Sequence, residues 1–117
     1  MALEVRAVAR YIRMSPHKVK LVVDMVRGKA VNEALATLKY STKVAARPVA
    51  KVIASAAANA EENYGLSRDD LRITTIQADE GPTLKRMRFG ARGRVKPILK
   101  RSTHITVVLT GQETAAQ

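Results

Sequence analysis

The sequence predicts an α+β fold in which three helices pack on a small antiparallel three-stranded sheet, with a long β-hairpin protruding from it. Three observations support this prediction. Apolar residues recur at helical spacing between residues 16 and 64, alternating patterns typical of strands flank that region, and a stretch free of carboxylates separates the last two strand patterns. The 117 residues suit one domain, 1–117, with residues 81–104 extended as the hairpin.

Three segments are predicted to be strands, residues 3–11, 71–78 and 104–110. In the first and the last, side chains alternate with the period of two residues that is typical of strands, and in the first we expect one buried face. Because the last two segments flank the carboxylate-free stretch, the hairpin is predicted to continue two paired strands beyond the edge of the sheet. In the first strand, the residues predicted to share the buried face are Leu3, Val5, Ala7, Ala9 and Tyr11.

The first helix is predicted over residues 16–27. Ser15 is a suitable N-cap, Pro16 fits the first turn, and Gly28 is a suitable stop. An apolar stripe predicts the buried face, and it comprises Val19, Val22, Val23 and Val26.

Two more helices are predicted downstream. The second has Asn32 as its N-cap and ends near Tyr40. The third covers about residues 42–64, is rich in alanine and ends at Gly65. Pro48 leaves two possibilities for its start, because the helix either begins near Arg47 or is kinked at the proline.

The hairpin stretch carries a concentrated positive charge. No carboxylate occurs between Glu80 and Glu113, and Gly90 and Gly93 predict a turn near residues 89–93 in which positive φ angles are needed. Pro97 fits an edge position. The eight basic residues of the stretch are Lys85, Arg86, Arg88, Arg92, Arg94, Lys96, Lys100 and Arg101.

Composition limits the function. A net charge of +11 and a pI near 10.6 favour a polyanionic partner. There is no cysteine, two histidines do not make a metal site, and no catalytic or phosphate-loop motif is present, so we expect no enzyme, no metal and no cofactor. The charged N-terminus lacks the apolar run of a secretory signal, which favours a cytoplasmic location.

Nucleic acid is the partner that this charge favours, since Lys and Arg neutralise phosphates. Two alternatives remain at this point. A DNA-architectural protein would wedge Pro97 or Phe89 between base steps, and a membrane-surface protein would need a basic amphipathic helix that the alanine-rich third helix does not resemble. Phe89 either stacks on a base or packs on the opposite arm of the hairpin.

Five segments carry a resemblance to a known family. They are RYIRMSPHKVKLVVDMVRGK (residues 10–29), SAAANAEENYG (55–65), DEGPTLKR (79–86), ARGR (91–94) and KRSTHITVVL (100–109). Their order and spacing resemble bacterial large-subunit ribosomal protein twenty-two over nearly the whole chain. The resemblance implies a protein of the large ribosomal subunit that binds 23S-type ribosomal RNA across several RNA domains and joins early in assembly.

The resemblance also implies how the hairpin is used. In that family the hairpin lines the exit tunnel for the nascent polypeptide, and its tip lies near large-subunit protein four. We therefore expect as partners the ribosomal RNA, neighbouring large-subunit proteins and the nascent chain, with no membrane and no homo-oligomer. The tip departs from the family pattern, since Phe89 and Gly90 stand where a Pro-Arg pair is expected.

Residues expected to bind ribosomal RNA fall into two groups. On the hairpin they are Lys85, Arg86, Arg88, Phe89, Arg92, Gly93, Arg94, Lys96, Lys100 and Arg101. Around the first helix they are Arg10, Arg13, Ser15, Pro16, His17, Lys18, Lys20, Arg27, Gly28 and Lys29.

Overall fold

The computed structural model describes residues 2–112, without the side chains at positions 2, 88, 89, 91, 95–98 and 112. Two short 3-10 turns accompany three helices and five strands in the described chain. In chain order the helices and strands are β1 (Ala2–Ile12), α1 (Pro16–Val26), α2 (Val31–Lys39), α3 (Ala46–Tyr64), β2 (Arg72–Glu80), β3 (Leu84–Phe89), β4 (Val95–Lys100) and β5 (Thr103–Gln112). The predicted α+β class, with three helices, a three-stranded sheet and a hairpin, is confirmed.

The three-stranded sheet is antiparallel with the order β1-β5-β2. The last strand in sequence is therefore the central strand, with Leu109 opposite Val5 on one side and Ile73 on the other. Alternate side chains of β5 are fully buried at Ile105, Val107 and Leu109. This pattern places the core on the face of the sheet that the helices cover.

The core is built from small and branched aliphatic side chains. The four valines predicted for α1 are all fully buried, and α3 contributes Val49, Ile53, Ala56 and Ala60 at helical spacing. Gly65 ends α3 with φ 62°, as predicted from the ability of glycine to adopt the left-handed conformation. The helices, β1, β2 and β5, together with the turns and loops that connect them, are called the globule below.

The prediction that Tyr11 lies on the buried face of β1 is wrong. The pairing with β5 shifts between Ala9 and Ile12, so that β1 holds one extra residue at this point. Tyr11 has φ 59° and is 64% exposed, whereas Ile12 packs against the core. A β-bulge of this kind reverses the alternation of side chains, and only the pairing partner reveals it.

The prediction that Asn32 caps α2 is also wrong. The N-cap is Ala30, and the side-chain amide of Asn32 donates a hydrogen bond to Asp69 Oδ1 at 2.7 Å. The preceding backbone pairs with the start of β2, since the Val31 amide donates to the Leu71 carbonyl at 3.1 Å. This pairing holds Ala30 extended, and the helix begins directly after it.

Pro48 causes no kink. It is the third residue of α3, which begins at Ala46. Amides of the first helical turn have no partner within the helix, so proline is tolerated there. Of the two possibilities left open by the sequence, a helix start near Arg47 is close to the observed start of α3 at Ala46.

The hairpin consists of β3, β4, the turn between them and Arg101, which directly follows β4, so the name covers residues 84–101. The strands form a separate two-stranded sheet in which Met87 is opposite Pro97, so the proline lies on an edge strand as predicted. The turn takes positive φ angles at Arg92 (60°) and at Gly93 (71°), as predicted for Gly93, and positive φ at Gly90 stays a prediction. The described chain measures 74 × 25 × 18 Å, which reflects the projection of the hairpin.

Candidate nucleic-acid interface

The described cations of the hairpin are exposed and lack carboxylate partners. Lys85, Arg86, Arg92, Arg94, Lys100 and Arg101 all have exposed side chains. The two ion pairs found among the described residues, Arg27 with Asp24 and Arg68 with Glu61, lie in the globule. The predicted side-chain roles of Arg88, Phe89 and Lys96 lie outside the described residues, and both possibilities for Phe89 stay open. The positive charge of the hairpin is therefore available to a partner.

The base of the hairpin joins the sheet through a tight crossing of two segments. The Gly81 amide donates to the Ser102 carbonyl at 2.9 Å, and the Ser102 hydroxyl donates to the Pro82 carbonyl at 2.6 Å. A β-carbon at position 81 would lie 2.6 Å from the Ser102 Oγ. Any residue other than glycine at position 81 would therefore require the Ser102 side chain to move.

A cleft of about 1100 Å³ opens beside this junction, between the base of the hairpin, the start of α1 and the loop before α3. It brings together Arg13, Ser15 and Lys18, predicted on the globule, with Lys100 and Arg101, predicted on the hairpin. We call it the basal cleft. The described residues that line it are Tyr11, Arg13, Met14, Ser15, Lys18, Leu21, Lys43, Val44, Ala45, Pro82, Leu84, Leu99, Lys100, Arg101 and Ser102.

The basal cleft has the electrostatics of an anion site. Five of its described lining residues are Lys or Arg, and none is Asp or Glu. The Ser15 side chain makes no capping hydrogen bond to α1, so its hydroxyl is free of a role in the helix. Like charges that line one cleft repel one another, and an anion bound among them reduces that repulsion.

The other residues predicted around α1 do not line the basal cleft. His17 and Lys20 are exposed near the start of the helix, Pro16 is buried, and Arg10 is exposed on β1. Arg27 lies at the opposite end of α1, about 16 Å away for an 11-residue helix. The predicted set is therefore split between the two ends of α1.

Arg27, Gly28 and Lys29 make contacts within the protein. The Arg27 guanidinium donates to Asp24 Oδ1 at 2.7 Å and to the Ile76 carbonyl at 3.1 Å, which connects α1 to β2. The Lys29 carbonyl accepts from the Ile73 amide at 2.9 Å, and Gly28 has φ 80° after the helix end. These residues have a structural role, and their predicted contact with RNA stays a prediction.

Sequence reasoning missed a second group of cations. A neighbouring cavity of about 760 Å³ is lined by four basic residues and by no carboxylate among its described residues. It shares Lys43 and Val44 with the basal cleft. The basic residues are spaced four apart across the end of α2 and the start of α3, a regularity visible in the sequence: Lys39, Lys43, Arg47 and Lys51.

Two further findings bear on the class of protein. Among residues 2–112, no helix has the length and apolar character that crossing a bilayer requires. Within the same described part of the chain, no group of three or more His, Asp and Glu side chains could hold a metal ion. A small α+β globule with a projecting hairpin, whose described cations are exposed, has the charge and shape that favour a polyanionic partner such as nucleic acid.

Comparison with known proteins identifies the family. Residues 7–110 match the family described as ribosomal protein L22p/L17e. The chain is 55% identical over 107 residues to the large ribosomal subunit protein uL22 of Chloroflexus aggregans, covering 92% of this chain and 95% of that protein. It is 50% identical over 111 residues to the protein of the same name from Thermoanaerobacter sp. strain X514, covering 95% and 100%.

This chain belongs to the ribosomal protein L22p/L17e family. The family consists of structural ribosomal proteins, so the chain is not an enzyme. Both the resemblance stated from the sequence and the prediction that the chain is not an enzyme are confirmed.

Proposed function

We propose that this chain, a structural constituent of the large ribosomal subunit by its family membership, binds 23S-type ribosomal RNA through the hairpin and the basal cleft. The observation that carries the proposal is the exposure of all six described hairpin cations without a carboxylate partner. Large ribosomal subunit proteins are cytoplasmic in bacteria, and the location predicted from the sequence agrees.

The shape of the hairpin supports contact with RNA on several sides. Every described side chain of β3 and β4 is exposed, including Lys85, Arg86 and Lys100. Arginine makes paired hydrogen bonds to phosphate oxygens, and RNA helices present phosphates along both strands. A narrow two-stranded ribbon can therefore lie between RNA helices where a globular domain would not fit, and RNA would neutralise the repulsion between its cations.

The finer assignments are part of the proposal. The hairpin contacts several RNA domains, lines the exit tunnel and brings its tip near large-subunit protein four and the nascent chain, and the protein joins the subunit early. The 74 Å length of the described chain supports a reach from the surface of the subunit to its interior. The turn at Arg92 and Gly93 is the part of the hairpin that would meet protein four and the nascent chain.

The test is RNA affinity as a function of salt concentration. If all eight hairpin cations contact duplex phosphates, the slope of log affinity against log salt is about −7 from the hairpin alone. Replacing residues 85–97 by a two-glycine turn removes six of these cations. The slope against transcribed large-subunit RNA should then become shallower by about 5, while circular dichroism and thermal unfolding show a folded globule.

A second variant separates charge from shape. Substituting the same six cations by glutamine keeps the hairpin and should reduce the slope to the same extent as the deletion. Arg68→Gln is the control, because Arg68 is paired with Glu61 in the globule and should leave the slope unchanged. Matched DNA is the competing ligand. An unchanged slope in both hairpin variants, or equal binding of DNA and RNA, would contradict the proposal.

A further inference from the structure

The basal cleft carries more than positive charge. Four aliphatic side chains in its walls are about half or more exposed: Leu21 (47%), Val44 (76%), Leu84 (46%) and Leu99 (47%). Grouped exposed apolar side chains are typical of binding surfaces. A site that bound only phosphates would gain nothing from them, so they indicate an occupant with an apolar part as well as negative charge.

The aromatic ring of Tyr11 also lines the basal cleft, and its backbone has a positive φ angle. Tyr11 has φ 59° at the bulge in β1, and its amide donates to His104 Nδ1 at 3.0 Å. The two rings make a T-shaped contact with centroids 4.9 Å apart. Whichever ring supplies its edge, at least one face of Tyr11 is not covered by His104, and the residue is 64% exposed.

The bulge explains why the ring points outward. Without the extra residue, Tyr11 would continue the inward-facing row of Leu3, Val5 and Ala7. Bulges often re-aim a side chain beside a functional site, and a non-glycine residue at positive φ persists only where the surrounding structure holds it. Here the bulge places an open aromatic face among cations.

Charge and shape together select the class of occupant. A paired RNA helix presents phosphates but keeps its bases stacked inside, so it would leave the apolar walls and Tyr11 unused. An unstacked nucleotide has a flat apolar base and a phosphate on either side. The volume of about 1100 Å³ slightly exceeds that of ordinary small-molecule sites, which are about 300–1000 Å³. That is sufficient for a nucleotide with its flanking phosphates.

We propose that the basal cleft binds one unstacked nucleotide of the ribosomal RNA, with the base on Tyr11 and the aliphatic walls and the flanking phosphates on Arg13, Lys18, Lys43, Lys100 and Arg101. This inference rests on the proposed function, and it adds a base-binding site that fixes where the base of the hairpin joins the RNA. The aliphatic walls belong to α1, the loop before α3 and the hairpin, so the nucleotide would bridge globule and hairpin.

The test measures affinity for transcribed large-subunit RNA with two cleft variants. Tyr11→Asn removes the ring and keeps a side chain that tolerates positive φ, and it should weaken binding about tenfold without changing the salt slope. Tyr11→Phe retains the ring and should bind within about twofold of the unaltered protein. Tyr40→Asn is the matched control, because Tyr40 is 80% exposed and lies outside the cleft.

Val44→Asp provides the second variant. Val44 is 76% exposed, so the substitution leaves the core intact, but it places a carboxylate among the cations. Binding should weaken about tenfold and the salt slope should become shallower by about 1. Ala36→Asp, an exposed position on α2, adds the same charge elsewhere and should leave the affinity within about twofold. If Tyr11→Asn fails to fold, Val44→Asp decides the question.

Short-wavelength UV irradiation of the complex identifies the occupant. A covalent adduct between Tyr11 and an unpaired nucleotide supports the proposal. Wild-type affinity in both Tyr11→Asn and Val44→Asp, together with a full salt slope, would overturn the nucleotide site and leave the proposed function intact. Adducts from Tyr11 to another ribosomal protein in assembled subunits would also overturn it. A shallow salt slope in the unaltered protein would instead remove the proposed function itself.

Discussion

The globule and the hairpin use their side chains in opposite ways. In the globule, Val22, Ile53 and Ile105 are fully buried, and they belong to a continuous core shared by helices and sheet. In the hairpin, every described side chain of β3 and β4 is exposed, including the apolar Met87 at 77%. One part is stabilised by burying its own apolar surface, whereas the other presents both charge and apolar surface outward.

Burial of apolar side chains therefore does not stabilise the described part of the hairpin. An isolated two-stranded hairpin is only marginally stable in water, and among the described residues β3 and β4 make no extensive contact with another element. The radius of gyration is 17.7 Å, against about 13 Å for a compact domain of about 100 residues. The chain is therefore less compact than a typical domain of its size because the hairpin projects from it.

The difference between the two parts can be tested by truncating one side chain in each of them. Ile53→Ala should lower the free energy of unfolding by about 2–5 kcal/mol, because Ile53 is fully buried and its loss leaves a cavity. Met87→Ala should change it by no more than about 0.5 kcal/mol, since Met87 is exposed. Denaturant unfolding of the free protein measures both. Similar losses at the two positions would show that the hairpin shares the stability of the core.

Where local pattern determined structure, the sequence was sufficient. The four buried valines of α1 and the alanine-rich face of α3 follow from helical spacing, and Gly28 and Gly65 follow from the need for positive φ after a helix. Where a distant strand decided the outcome, local pattern failed. The cap at Ala30 depends on pairing with β2, and the bulge at Tyr11 depends on the register of β5.

As with the fold, one part of the candidate site could be predicted from the sequence and another could not. The charge of the hairpin is visible in the sequence because its cations are concentrated in one stretch of the chain that contains no carboxylate. The basal cleft is assembled from separate segments, so Tyr11, Val44 and Leu99 carry no shared signal in the sequence. The four-residue spacing from Lys39 to Lys51 was a readable signal, although it crosses from α2 to α3 and so lies on no single helix face.

A smaller effect is expected where the two parts join. Gly81→Ala should destabilise the protein by about 1–3 kcal/mol, because its β-carbon would lie 2.6 Å from the Ser102 Oγ and 3.1 Å from His104 Cε1. Removing the hydroxyl with Ser102→Ala relieves the nearest contact. The double variant should therefore be less destabilised than the sum of the single variants, as measured by a double-mutant cycle in denaturant.

Gly111→Ala provides the control for that cycle. Its β-carbon would lie 2.8 Å from Leu71 Cδ2, so it is also destabilised by close approach, but in the globule. Ser102→Ala should give no rescue of Gly111→Ala. Rescue at both glycines, or at neither, would show that the Ser102 hydroxyl is not what makes alanine unfavourable at position 81.

The smallest effect on RNA binding is expected at the turn of the hairpin, where two arginines with different backbone conformations can be compared. Arg92 has φ 60° and ψ 34°, a conformation that glycine adopts more readily than arginine, whereas Arg94 does not have positive φ. Each residue contributes one exposed cation, so Arg92→Gly and Arg94→Gly should each make the salt slope of RNA binding shallower by about 1.

The backbone response should differ between these two variants. Arg94→Gly should loosen the turn by about 0.5–1 kcal/mol, seen as faster hydrogen exchange of the Gly90 amide that donates to the Arg94 carbonyl. Arg92→Gly should leave that exchange unchanged or slower, because relief of the left-handed conformation offsets the added chain entropy. In both variants the free energy of unfolding of the globule should stay within about 0.5 kcal/mol of the unaltered protein, since the turn makes no part of its core. Equally faster hydrogen exchange in the two variants would mean that the left-handed conformation of Arg92 is not strained. A larger change in the free energy of unfolding would mean that the turn contributes to the stability of the globule.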